Sequence, residues 1–290
     1  MKQEFKVDEV MSSPVLAVRP TDTVSHAKNL MLRHGVRRLV VLDKGESVGI
    51  LSIHDIAERL SRGAPEWRRR PIDQIPVARV MHKGVISTSV GTDLNKAAKL
   101  MLNHDISSLV VVDSGSVAGI LTKTDITKYF AGNLGGQFRV ATLMTQNPVT
   151  VNRGHSIARV VELMEEYSVA RVVVVEGKRP VGIIAESDVG FARIEDPSQG
   201  ARGREVKYTR RLERGERPRA RYVKHVAMLT AVDVMRPDPI TVDPDTDAAE
   251  AAGLMLDNKI SGLPGVDDKA LVGILTKTDL LKGIGRLALQ

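Results

Sequence analysis

The chain has 290 residues, enough for one large domain or two of ordinary size, each with a substantial core. It contains no cysteine, which excludes a disulfide framework, a thiolate metal site and a cysteine nucleophile, and fits a reducing interior. The formal charge of +7 is local: residues 201–225 hold eight Arg and two Lys against three Glu, so the remainder is close to balanced.

Residues 1–13 read as a short helical or extended lead-in ending at Val10-Met11, and Pro14 to Val18 as a first strand. Pro20-Thr21-Asp22 supplies a turn and cap signal. Val24, Ala27, Leu30 and Met31 then recur at helical spacing through His34, and Gly35 stops the helix. Arg38 to Leu42 reads as a buried strand, Asp43 to Glu46 as a hairpin turn and Val48 to Ile53 as the returning strand. Asp55 stands where a further helix begins, so one unit is β-α-β-β-α.

This order returns three times. The second unit has a strand at Val85 to Thr88, a helix at Asp93 to His104, a hairpin of Ser108 to Asp113 with Val117 to Leu121, and a helix at Asp125 to Phe130. The third has Val149 to Val151, Ser156 to Tyr167, Arg171 to Val175 and Val181 to Ile184. The fourth has Ile240 to Val242, Thr246 to Asn258, Gly262 to Val266 and Leu271 to Leu275, with a last helix from Asp279. Short strands and amphipathic helices give no single unit a self-sufficient core, so the units are expected to pair as sheets covered by helices.

The repeat is marked by four heptads: GILSIHD at 49–55, GILTKTD at 119–125, GIIAESD at 182–188 and GILTKTD at 273–279. Each begins 38 residues after a methionine that follows a valine or leucine, namely Met11, Met81, Met144 and Met235. Four identical counts mean one structural unit used four times. With the Val-Met and Leu-Met starts and the Ser261 to Val266 strand entry, these heptads resemble cystathionine-beta-synthase-type (CBS) domains, arranged as two tandem pairs, each pair a Bateman module. The expected fold is mixed α/β (α+β): four β-α-β-β-α repeats paired into two modules. One module takes residues 1–134, with repeats near 8–66 and 76–132; the other takes 135–290, with repeats near 140–195 and 226–290 and a basic insertion at 197–224.

The resemblance implies adenosine-containing ligands such as AMP, ADP, ATP or S-adenosylmethionine in clefts between paired units, and a regulatory rather than catalytic role. It assigns ribose binding to Asp55, Asp125, Asp188 and Asp279, and neighbouring hydroxyls near the sugar and phosphates to Ser52, Thr122 and Thr276. Ala185 departs from that pattern in unit three. The base-proximal strand positions are Ser87, Thr150 and Thr241, with Ala17 departing in unit one. The chemistry stands on its own: a carboxylate can accept both hydroxyls of a ribose diol, and a hydroxyl or the N–H groups at a helix start can meet phosphate oxygens. An aspartate at a helix start also acts as a cap, and the two roles are compatible.

His34, Arg37, Arg38, His104 and Lys123 in the first module, and Arg171, Lys259 and Lys277 in the second, are candidate phosphate contacts or solvated edges. The two histidines have no third partner for a metal site, and helix ends suit them. No catalytic motif is found: there is neither HExxH nor GxxxxGK[ST]. The insertion offers Arg202, Arg204, Lys207, Arg210, Arg211, Arg214, Arg217, Arg219, Arg221 and Lys224, with Arg68-Arg69-Arg70 as a second patch. Such stretches can contact nucleic-acid phosphates or an acidic protein partner, or simply be solvated. With aromatic residues at 3%, stacking platforms for single strands are scarce. No apolar run is long enough for a membrane span, and the amino terminus lacks signal-peptide features. A cytoplasmic adenine-nucleotide sensor or scaffold is therefore expected, with S-adenosylmethionine and nucleic-acid readings as alternatives. It would act on an undetermined protein partner, through a change of shape or assembly, with homodimerisation open.

Overall fold

The structure is a computed structural model and describes residues 5–56, 72–189 and 229–287. Unit one contains β1 (Ala17–Val18), α1 (Val24–His34), β2 (Arg38–Asp43) and β3 (Glu46–Ser52). Unit two contains β4 (His82–Lys83), β5 (Ser87–Ser89), α2 (Leu94–Asn103), β6 (Ser108–Asp113), β7 (Ser116–Thr122) and α3 (Lys123–Asn133). Unit three contains α4 (Val140–Leu143), β8 (Thr145–Gln146), β9 (Thr150–Val151), α5 (Ile157–Glu166), β10 (Arg171–Glu176) and β11 (Arg179–Ala185). Unit four contains α6 (Ala231–Val234), β12 (Arg236–Pro237), α7 (Ala248–Asp257), β13 (Gly262–Asp267), β14 (Ala270–Thr276) and α8 (Lys277–Arg286). The basic insertion at 197–224, including the strand expected at Val206 to Thr209, and Arg68-Arg69-Arg70 lie outside the described residues.

Each central hairpin forms where a short run of consecutive buried residues, mostly valine and leucine, meets a tight turn. In unit two the turn residues Ser114 and Gly115 both have positive φ, 48° and 85°, the conformation that a two-residue hairpin matched to strand twist requires. Gly35 ends α1 in the left-handed conformation at φ 64°. The cap of α1 is Thr23, whose hydroxyl accepts from the His26 N–H, rather than the Pro20 to Asp22 signal. Ile240 to Val242, expected as a strand, is reduced to a single parallel bridge between Val242 and Gly265.

The units are not self-contained. The strand after each methionine crosses to the partner unit: β4 pairs with β3, β8 with β14 and β12 with β11, and Ser12 bridges to Ile120 of β7. The entry segments follow the same exchange. Val7 is buried in the core of unit two, Ile75 and Val77 in that of unit one, Val140 in that of unit four and Ala231 in that of unit three.

This exchange accounts for the methionine and glycine marks of the repeat. A Cβ on Gly49 would lie 2.8 Å from the Met81 Sδ, and one on Gly273 would lie 2.5 Å from the Met144 Sδ. Gly119 meets Met11 and Gly182 meets Met235 in the same way. Each heptad opens on glycine because the partner unit's methionine lies flat against the strand there.

Units one and three each have a core of their own, built around Leu39 and Met31 and around Val172 and Met164. Units two and four share one. Phe130, Met101 and Leu109 are continuous with Met255, Leu280 and Ile284, and α3 packs on α7 while α8 packs on α2 and α3. The two modules are therefore joined within the chain through their even-numbered units, and on the other side His54 of unit one lies 3.5 Å from Glu186 of unit three.

Candidate functional site

The heptad aspartates lie at the junction of the second hairpin strand with the following helix. At the β7–α3 junction Thr122 is the extended N-cap, and the Asp125 Oδ2 accepts from its N–H at 2.9 Å and its hydroxyl at 2.6 Å. Asp125 is thus the third residue of the helix rather than its start, and forms a capping box with Thr122. Asp279 Oδ2 does the same for Thr276, at 2.9 and 2.7 Å. Asp55 Oδ2 accepts from the Ser52 N–H at 2.7 Å, and the Ser52 hydroxyl accepts in return from the Asp55 N–H at 3.1 Å. In unit three only the Ala185 N–H reaches Asp188 Oδ2, at 2.9 Å, because no hydroxyl stands at 185.

Capping therefore occupies one carboxylate oxygen at every position. At Asp125, Asp188 and Asp279 the other meets the residue after the partner unit's methionine. Ser12 Oγ donates to Asp125 Oδ1 at 2.9 Å, and Thr145 Oγ1 reaches Asp279 Oδ1 at 3.4 Å, where Lys282 also donates at 3.1 Å. Arg236 donates to Asp188 Oδ1 from Nε at 3.2 Å and Nη2 at 2.8 Å. His82 holds the matching position on β4, beside β3. Asp125 and Asp279 are buried, 4% and 3% exposed, where the paired units meet. Sequence reasoning missed Ser12, His82, Thr145 and Arg236. Their signal was a fixed place directly after each methionine, but a mixture of hydroxyl, imidazole and guanidinium hid it.

A second feature collects cations from all four units. Arg38 of unit one donates to the Ser107 hydroxyl of unit two, and Arg171 of unit three to the Ser261 hydroxyl of unit four. Between modules, Lys123 donates to the Thr278 hydroxyl at 3.0 Å and Lys277 to the Thr124 hydroxyl at 3.1 Å, a reciprocal pair. Burial pushes Arg38 and Arg171 below the ordinary arginine range, and Arg37 adds to both; Asp55 opposes the shift at Arg38, and Asp188 and Asp279 oppose it at Arg171. Burial lowers Lys123 too, with Asp105 opposing and Arg38 and Arg171 adding. Lys277 is pushed down to about 8 by burial first and then by Arg37 and Arg171, against Asp125. Arg37, Arg38, Lys123, Arg171 and Lys277 thus feel one another, and several are too buried for water to neutralise the crowding.

The remaining expected residues are more dispersed. Ser87, Thr150 and Thr241 are exposed along the first strands or just before their place. His34 and His104 are exposed at the C-terminal ends of α1 and α2, and Lys259 has positive φ of 54° in the turn after α7. Two open surface grooves, one lined by Ala17, Arg19, Asp22, Asp43 and Lys44 and the other by Gln137, Arg139, Thr142 and Arg286, contain none of the four aspartates. Among the described residues no group of three or more His, Cys, Asp or Glu could hold a metal ion, and no helix is long and apolar enough to cross a membrane.

Four units with exchanged entry segments, each carrying a capped aspartate near its partner unit, define a tandem-repeat protein of paired domains. The chain belongs to the CBS domain family, whose model matches residues 7–62, 77–132, 140–192 and 231–286. A Methanocaldococcus jannaschii protein, the uncharacterized protein MJ1404, is 29% identical over 287 residues, covering 97% of this chain and 62% of the relative. MJ1225 of the same organism is 31% identical over 134 residues, 43% of this chain and 47% of the relative. The sequence matches thus span less than two thirds of either curated relative. The crystal structure of MJ1225 covers 96% of this chain and 99% of its own, with a TM-score of 0.73 at 21% identity. An uncharacterized conserved protein from Pyrococcus horikoshii covers 97% and 100%, with a TM-score of 0.64 at 23% identity. Both structures share the fold.

Proposed function

We propose that the protein is a non-catalytic regulatory sensor of adenine nucleotides, AMP, ADP or ATP, which bind in the inter-unit clefts of two modules spanning 1–134 and 135–290. The observation that carries this reading is the divided use of each aspartate. Oδ2 is fixed by the helix cap, so Oδ1 is held rigidly at the mouth of a cleft, placed to accept ribose hydroxyls. The cationic centre supports a phosphorylated ligand. Arg38, Arg171, Lys123 and Lys277 are donors drawn together and partly desolvated, with Asp55, Asp105, Asp125, Asp188 and Asp279 only opposing the shift, an arrangement that a phosphate chain relieves further. S-adenosylmethionine would supply the ribose but brings a sulfonium where the chain already crowds positive charge. The MJ1225 structure is described as that of a candidate archaeal homologue of g-AMPK, which agrees with this reading.

Ligand filling a cleft would press on the exchanged strand of the partner unit and shift how the units sit. Its influence on a partner protein is limited to its differential affinity for the two arrangements. Calorimetric titration of the chain with AMP, ADP, ATP and S-adenosylmethionine tests the reading. Phosphorylated ligands are expected to bind and Asp125→Ala with Asp279→Ala to remove their sites. Absence of binding by all four would sink it.

A further inference from the structure

At three of the four equivalent junctions, the residue after the methionine reaches the outer oxygen of the partner unit's aspartate. At Asp125 and Asp279 the partner unit supplies a neutral hydroxyl, Ser12 or Thr145, while a lysine of the aspartate's own helix approaches the same oxygen, Lys128 at 3.9 Å and Lys282 at 3.1 Å. A ribose hydroxyl can join or replace such a donor at little cost, because one neutral hydrogen bond is exchanged for another. At Asp188 it is the Arg236 guanidinium, which places two N–H groups on Oδ1, while the Ala185 N–H holds Oδ2. The guanidinium neutralises the carboxylate and, coming from the partner unit, occupies Oδ1 with two N–H groups, whereas Asp125 and Asp279 meet only a hydroxyl from that side. A ribose would have to displace a charge-assisted pair with a neutral diol, in the unit that also lacks the hydroxyl at 185.

We propose that Arg236 is a specificity-determining residue that fills the unit-three site from within, so that the Asp188 cleft is closed to ribose and ligands enter only the clefts of Asp55, Asp125 and Asp279. This rests on the nucleotide-sensor reading of the aspartates. Arg236 lies on β12 of unit four, and its ion pair fastens that strand to the heptad of unit three in place of a ligand. The closed cleft thus holds this unit pair in one arrangement whatever the nucleotide concentration.

Calorimetry with AMP on the full chain tests it by stoichiometry. Replacing Arg236 by Ser, the hydroxyl type found at position 12, is expected to raise the number of AMP bound per chain by one, and Arg236→Gln to do so if the serine variant does not fold. Arg236→Lys, which keeps the charge, should leave the number as in the parent. An unchanged or reduced number in both neutral variants overturns the assignment of Arg236 while leaving the aspartate reading intact. If the parent takes up no AMP, the aspartate reading falls. In that event one AMP bound by Arg236→Ser still supports the assignment, and none overturns it.

Discussion

Asp279 carries two functions on two atoms. Oδ2 completes the cap of α8 and Oδ1, which meets Thr145 and Lys282, is the proposed ribose acceptor, so truncation confounds helix stability with ligand affinity. Asparagine separates them, because its amide oxygen can still accept from the Thr276 N–H while the charge is lost. Asp279→Ala is expected to destabilise the chain by about 1 kcal/mol, the usual worth of a lost cap. Asp279→Asn should retain most of that stability, yet both variants should bind AMP at least about tenfold more weakly, the equivalent of about 1.4 kcal/mol. Denaturant midpoints and titration calorimetry on the same preparations read the two effects independently. An Asn variant with parental affinity would show that the carboxylate charge does not contribute at this cleft.

At the scale of elements, the exchanged strands bind the units of each pair, and their weak point is the contact of methionine with glycine. Gly273→Ala sets a methyl group against the Met144 Sδ and the Thr145 carbonyl oxygen, the latter 3.1 Å from the new Cβ. Overpacking of this kind costs about 1–3 kcal/mol. Combining it with Met144→Ala should recover part of the loss, a non-additivity that urea denaturation of the two single variants and the double variant measures. Purely additive losses would mean that the two residues do not meet. These marks were legible in the sequence as a spacing of 38 residues, but that count runs within a unit whereas the contact runs between units. The hairpins and first helices were legible because their periodicity extends over six to eleven residues. The crossing strands were not, since two residues such as His82–Lys83 or Arg236–Pro237 carry no period. Likewise the heptads pointed to the aspartates and their hydroxyls, while Ser12 and Arg236, which complete the clefts from the partner unit, share no residue type.

For the molecule as a whole, joining units two and four through one core brings the N-termini of α3 and α8 together, and with them Lys123 and Lys277. The resulting crowding has a consequence for pH. Lys277 in the folded chain titrates near 8 against an ordinary value of 10.5, chiefly because it is buried and then because Arg37 and Arg171 are near. A lysine whose folded value is lowered destabilises the fold while it is charged. That penalty is complete below about pH 8 and is relieved as pH rises toward 10.5. The ligand-free chain should therefore gain stability from this group between about pH 8 and 10, and Lys277→Met should flatten that part of the profile. A phosphate chain near Lys277 reverses the balance, because an anion favours the ammonium form and raises its value again. ATP binding at pH 8 should then take up a fraction of a proton, measured as a dependence of the binding enthalpy on the ionisation enthalpy of the buffer. In Lys277→Met this dependence should shrink while the ribose aspartates still hold the ligand. Equal proton uptake in parent and variant would place the phosphates away from the centre where the four units meet.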